Sequence, residues 1–259
     1  MDLGIRNRKA IVCASSRGLG KGCALALAEA GVSLVINGRD AAALEATAAE
    51  VRRKTGVDVT PVTADINTRE GQDAVFAACP EPDILINNNG GPPFRPYGDL
   101  DRDAILAGVT MNMVVPIELI QRALASMTKR GFGRVVNITS ISVKMPVAGL
   151  DLSSGARAGL TAFIAGVARS VADRNVTINN LLPGYFETDR MRAGFAASGQ
   201  RAGIAQDEAS AQMLSRIPAK RFGSALEFGQ AAAFLCSAHA GYITGQNLLM
   251  DGGLYQSAF

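Results

Sequence analysis

The chain of 259 residues has one histidine, four scattered cysteines and no C-x-x-C pair. A zinc site or disulfide framework needs clustered ligands at short spacing, so Cys13, Cys23, Cys79 and Cys236 read as buried thiols in a reducing cytoplasm. Charge of one sign is also scarce. The formal net charge is +3 and no long Lys/Arg run occurs, which argues against nucleic acid as a partner. The opening Met1-Asp2-Leu3-Gly4 has no apolar stretch of signal-peptide length, and no run of about 18 apolar residues predicts a membrane span. No repeat, low-complexity segment or linker divides the chain.

What is present is alternation. Apolar residues make up 48% and charged residues 19%, an ordinary composition for a chain able to bury one large core. Short β-branched runs at 10–14, 33–37, 58–63, 83–87, 133–139, 176–182 and 246–250 predict strands. Ala/Leu-rich segments at 19–30, 40–55, 68–78, 101–129, 151–173 and 225–237 predict helices, with Asp40 as an N-cap and Gly31 as a C-cap. Continuous apolar strands suit a sheet covered on both faces. The expectation is a single α/β domain over 1–259: a three-layer Rossmann fold with a doubly wound, mostly parallel, seven-stranded sheet. The irregular stretch 184–222, rich in Ala, Gly, Arg and Ser, predicts a mobile flap over the site.

The first strand runs into Cys13-Ala14-Ser15-Ser16-Arg17-Gly18-Leu19-Gly20. Glycines where a strand turns into a helix let the backbone approach a pyrophosphate, and the helix N-terminus offers free N–H groups. Ser16, Arg17, Gly18, Leu19 and Gly20 are therefore candidate dinucleotide ligands. At the end of the second strand, where an NAD site usually carries a carboxylate, stands Asn37-Gly38-Arg39. Arg17 and Arg39 suit a 2′-phosphate, so NADP is expected over NAD.

With these residues in view, the chain resembles the short-chain dehydrogenase/reductase family, in particular its 3-oxoacyl-carrier-protein-reductase-like branch. Beside the glycine loop, the resemblance rests on Thr63-Ala64-Asp65-Ile66, Asn87-Asn88-Asn89-Gly90, Pro183-Gly184 with Thr188, Tyr242-Ile243-Thr244-Gly245-Gln246 and Asp251-Gly252-Gly253. It implies that Asp65 meets the adenine, and that Asn88, Asn89, Gly90, Pro183, Gly184 and Thr188 flank the cofactor. It places Asn112 and Ser140 at two of the family's four catalytic positions.

The other two positions differ. The family's Tyr-x-x-x-Lys falls on Ser153-Ser154-Gly155-Ala156-Arg157, and none of the four tyrosines has a lysine four residues later. In the family a cationic lysine draws the tyrosine pKa of about 10 towards neutrality so that it can protonate a reduced carbonyl. A serine hydroxyl is a far weaker acid, and arginine does not readily relay protons. Asn112 and Ser140 are expected to orient the substrate. Arg157 is expected to supply positive potential, and Ser140 and Ser153 to donate to an oxyanion. Lys144, Tyr185 or water is the expected substitute acid. The lone His239 reads as structural.

Phe94 and Tyr97, with Met191, Phe195, Ile204, Met213 and Leu214 of the flap, are candidates for an apolar pocket whose mouth Pro92 and Pro93 would fix. Apolar residues on more than one face of 101–129 and 151–173 predict a homotetramer or homodimer. Two functions compete: an NADP(H)-dependent oxidoreductase on a carbonyl or alcohol with an atypical proton donor, and a catalytically weak NADP(H)-binding sensor or structural protein.

Overall fold

The β-branched runs pair edge to edge. In the computed structural model, which describes residues 1–92 and 94–257, they are β1 (Lys9–Val12), β2 (Ser33–Gly38), β3 (Val59–Thr63), β4 (Ile84–Asn87), β5 (Gly133–Ile138), β6 (Val176–Pro183) and β7 (Asn247–Met250). All pair in parallel, in the order β3-β2-β1-β4-β5-β6-β7. The expected "mostly parallel" sheet is thus entirely parallel among the described residues. The order reverses between β1 and β4, which opens a crevice at the carboxyl ends of those two strands.

Alternate strand residues feed two cores. Ala10, Val12, Leu34, Ile36, Ile84 and Ile86 pack under α1 (Gly18–Glu29), α2 (Ala41–Thr55) and α9 (Ala225–Leu235). Ile11, Val35, Leu85, Val135 and Ile178 pack under α3 (Arg69–Ala78), α5 (Val115–Arg130) and α6 (Asp151–Val171). Each fully buried Leu or Ile contributes about 1.5–3 kcal/mol against exposure. α1 and α9 cross so closely that a Cβ at Gly22 would lie 2.0 Å from the Ala225 carbonyl oxygen. Asp40 caps α2 by accepting from Ala43 N at 3.0 Å, and Gly31 (φ 83°) carries the chain out of α1, both as expected.

The expected helix 101–129 is α4 (Arg102–Val109) and α5, joined by one widened π-turn at Thr110–Val114. Pro116 has no N–H to give the carbonyl of Asn112 four residues back, and the helix widens there. Within 102–130 an 18-residue window reaches mean hydropathy 1.5, long and apolar enough to cross a membrane by composition, although the sequence holds no uninterrupted apolar run of that length. Here its stripe of Val115, Leu119, Ile120, Ala123 and Met127 is buried against the sheet.

The stretch 184–222 is not irregular. It folds as α7 (Asp189–Ala202) and α8 (Gln206–Arg216). Thr188 caps α7 through Met191 N, and Gly203 (φ 70°) ends it in the left-handed region, which a side chain would disfavour.

A row of asparagines crosses the sheet: Asn87 pairs in register with Asn137, Asn137 with Asn180, and Asn180 with Asn247. Asn87 Nδ2 donates to Asn137 Oδ1 (3.1 Å) and to Pro116 O (2.9 Å), and Asn180 Nδ2 donates to Asn247 Oδ1 (2.7 Å). This polar seam replaces apolar packing towards the carboxyl ends of the strands, beneath α5.

Candidate active site

A cavity of about 410 Å³ opens at the crevice between β1 and β4. Its floor is the glycine loop. Ala14 is held in the left-handed region (φ 45°), a conformation costing roughly 1–2 kcal/mol for a residue with a Cβ. Asn88 Nδ2 donates to the Ala14 carbonyl at 3.1 Å and ties the β4 loop to the β1 loop. A Cβ at Gly20 would sit 2.4 Å from that same carbonyl oxygen, so only glycine fits. Ser15 was not singled out in the sequence. It is fully buried, donates to Val12 O (2.8 Å) and accepts from Asn37 N (3.2 Å), which braces the loop on β2.

The first turn of α1 has no side-chain cap and no acidic residue, so its N–H groups are open to an anion. Thr188 stands over Gly18. Gly18, Leu19, Asn88, Asn89, Gly90, Pro183, Gly184 and Thr188 all line the cavity. A dinucleotide fits this cradle by three observations: the uncapped helix end, Gly18 facing Thr188 across the cleft, and the cleft's place at the strand reversal.

The remaining predicted cofactor residues lie outside the cavity or at its edge. Arg17 is exposed at the edge and pairs with Asp40 at 2.6 Å. The carboxylate missing from the end of β2 thus stands one residue past Arg39. Arg39 is exposed with no ion pair among the described residues. Asn37 is corrected to a brace: it is buried, and its Nδ2 donates to Val62 O (3.1 Å) and Ala64 O (3.0 Å). Ser16 accepts at its carbonyl from Thr47 Oγ1 at 2.8 Å. Asp65 Oδ1 accepts from Asn67 Nδ2 (2.8 Å), whose own Oδ1 accepts from Asn89 Nδ2 (2.6 Å).

At the reacting end, Ser140 lines the cavity, and its Oγ accepts from Ser142 N at 3.0 Å, which leaves its O–H to donate. Ser153 differs. Its Oγ accepts from Arg157 Nε (3.2 Å) and donates to Asn112 Oδ1 (3.3 Å), so the expected donation to an oxyanion is already engaged. Asn112 is corrected as well. It is 1% exposed, does not line the cavity, and donates from Nδ2 to Gly90 O at 3.1 Å. Its side chain positions Ser153 and the Gly90 loop.

Arg157 lines the cavity, is 8% exposed, and donates from Nη1 to Ile138 O at 2.6 Å. No carboxylate stands within ion-pair range of it among the described residues. Burial, reinforced by the charge of Arg190, lowers its pKa to about 10.

Of the substitute acids, Lys144 fails on geometry. It is exposed, lies off the cavity and rests 5.4 Å over the Tyr255 ring. Tyr185 does line the cavity, stacked 6.0 Å from Phe195, but burial pushes its phenol above the usual value and makes it a weaker acid. Of the apolar candidates, Phe94, Met191 and Phe195 line the cavity, whereas Ile204, Met213 and Leu214 do not and Tyr97 is 83% exposed. Pro93 lies outside the described residues. His239 Nε2 is 2.8 Å from Asp2 O, and neither residue lines the cavity. All four cysteines are buried free thiols, and burial pushes Cys13 and Cys23 up to about 12. Arg190, Val147 and Leu150 line the cavity and were not anticipated.

The family model described as Enoyl-(Acyl carrier protein) reductase matches residues 13–255. NADPH-dependent reductase BacG of Bacillus subtilis (strain 168) is 33% identical over 96% of this chain and 98% of its own. The 3-oxoacyl-[acyl-carrier-protein] reductase FabG of Aquifex aeolicus is 31% identical over 98% and 100%. L-sorbose reductase from Gluconobacter frateurii, solved with NADPH and L-sorbose, superposes with a TM-score of 0.92 at 26% identity, over 99% of this chain and 100% of that one.

Proposed function

Because the chain belongs to the short-chain dehydrogenase/reductase family, in its FabG-like branch, we propose that it is an NADP(H)-dependent oxidoreductase acting on a carbonyl or alcohol substrate. One observation carries this reading: a single cavity joins the open N-terminus of α1 to Ser140 and Arg157. The relatives named for NADPH support the cofactor. The glycine loop and the α1 N-terminus would hold the pyrophosphate beneath Thr188, and Arg39 would take the 2′-phosphate. When bound, the nicotinamide supplies the hydride.

The chain's own residues act on the oxygen that receives negative charge. Ser140 donates its free O–H to that oxygen. Arg157, buried in the cavity wall without a counter-ion, supplies positive potential there, and such fixed donors and charges are worth ~10²–10³ in rate. Asn112 and Ser153 hold Arg157 and Gly90 in place. A Tyr–Lys acid is thereby replaced by electrostatic stabilisation, and water delivers the proton.

We read the protein as cytoplasmic and as a homotetramer or homodimer, with 184–222 acting as a flap of the single domain. Ile105, Leu106, Val114 and Phe163 are exposed on the helices expected to associate, and sedimentation of the purified chain tests this. Titration with NADPH and NADH tests the cofactor. Tight NADPH binding weakened by Arg39→Ala is expected. Turnover on a panel of carbonyl compounds then tests the reaction. Cofactor binding with no turnover, and no effect of Ser140→Ala, would replace this reading with that of a binding-only protein.

A further inference from the structure

Three arginines and one aspartate line the cavity: Arg17, Arg157, Arg190 and Asp189. Two of these charges are already answered, since Arg17 pairs with Asp40 and Asp189 with Arg192. Arg157 and Arg190 remain without a carboxylate among the described residues. Arg190, on the first turn of α7, donates from Nη1 to Gly91 O (3.0 Å) and from Nη2 to Pro92 O (3.1 Å). Both acceptors are neutral, the side chain is otherwise exposed to the mouth, and the charged neighbour that Arg157 feels is Arg190 itself. The position matters. Gly91 follows Gly90, which Asn112 holds beside Ser153, so this guanidinium sits at the reacting end and away from the Arg17–Asp40 edge. The walls around it are apolar: Phe94, Ile141, Val147, Leu150, Met191 and Phe195.

Two like charges in an apolar cleft are costly unless an anion completes them, and a guanidinium fork matches a carboxylate with two parallel bonds. We propose that Arg190 is a specificity-determining residue that binds the carboxylate of the substrate, so that the enzyme reduces apolar oxo acids in preference to their neutral analogues. The inference rests on the reductase reading above and names its substrate class. Arg190 joins α7 to the β4 loop in the free protein, and the incoming carboxylate exchanges with the Gly91 and Pro92 carbonyls.

The test is calorimetric, so that it does not depend on turnover. 4-Methyl-2-oxopentanoate and its methyl ester are titrated into the protein, with and without NADP⁺. The acid is expected to bind at least about tenfold more tightly than the ester, and Arg190→Gln is expected to bring the two near parity. Equal binding of acid and ester by the native protein overturns the proposal, as does an acid preference that survives Arg190→Gln. If Arg190→Gln instead weakens NADPH and leaves the acid-to-ester ratio intact, the anion at Arg190 is a cofactor phosphate and the proposal falls. An acid preference that depends on Arg190 without any turnover would uphold the carboxylate site while removing the reductase reading.

Discussion

Two arginines are buried at opposite ends of the sheet, and they are treated differently. Arg134, at the amino end of β5, is 1% exposed and makes four hydrogen bonds: Nε to Ser237 O (3.1 Å), Nη1 to Gly133 O and Asn175 O (both 2.8 Å), and Nη2 to Asn175 Oδ1 (3.2 Å). It also lies 4.4 Å over the Phe132 ring. Arg157, beyond the carboxyl end of the same strand, makes two, and its Nη2 has no protein acceptor among the described residues. A guanidinium saturated by carbonyls and an aromatic face holds segments together. One left partly unsatisfied against a cavity holds potential for something that enters.

The sharpest way to break this comparison is to remove each charge. Arg134→Met leaves the Ser237, Gly133 and Asn175 carbonyls without these donors and is expected to cost about 3 kcal/mol or more in urea unfolding. Arg157→Met is expected to change stability by less than about 1 kcal/mol, because it also relieves an unpaired buried charge. Its effect belongs in kcat/KM, a loss of about 10²–10³. Similar unfolding losses for the two variants would end the distinction.

The hydroxyls give a second contrast. Ser140→Ala, which removes the free donor, is expected to lower kcat by about tenfold to a hundredfold with NADPH affinity retained. Ser153→Ala is expected to cost less than about tenfold, since that hydroxyl already serves Asn112. Steady-state kinetics beside NADPH titration separates them.

Titration follows from the same burial. Arg157 has a folded pKa of about 10, below the usual 12.5, so the folded state disfavours its cation. Its penalty on stability is complete at neutral pH and is relieved as pH climbs from about 10 towards 12.5. Catalysis runs the other way. The reduction rate is expected to fall as pH rises through about 10, and Arg157→Met is expected to lack that limb in a pH profile of kcat/KM. The smallest effect is local: Ala14→Gly, at φ 45°, is expected to raise stability by up to about 1 kcal/mol in thermal unfolding.

Periodicity made the strands legible, because a strand buried on both faces must be continuously apolar. Parallel crossovers of one hand implied a doubly wound sheet, and the structure placed its reversal between β1 and β4. The glycine loop was legible because few backbones need Gly18 and Gly20 straight after a strand. Family resemblance marked Ser140, Ser153 and Arg157. The helices of 184–222 were missed because their Ala, Gly and Ser content hid two caps, Thr188 and Gly203, that define α7. The π-turn at 110–114 was missed for another reason: Pro116 in a helical pattern signals a lost bond but not how the helix absorbs it.

The amino-acid order by itself therefore determined the α/β layering, the cradle for a dinucleotide and the absence of a Tyr-x-x-x-Lys pair, since each depends on residues close in sequence. Only the tertiary structure decided which polar groups are already engaged. Asn112 with Ser153, Arg17 with Asp40, and Arg190 with the Gly91 and Pro92 carbonyls are partners brought together from 23 to 99 residues apart. Whether a donor faces a neighbour or an open cavity depends on that folding, and so does the difference between Arg134 and Arg157.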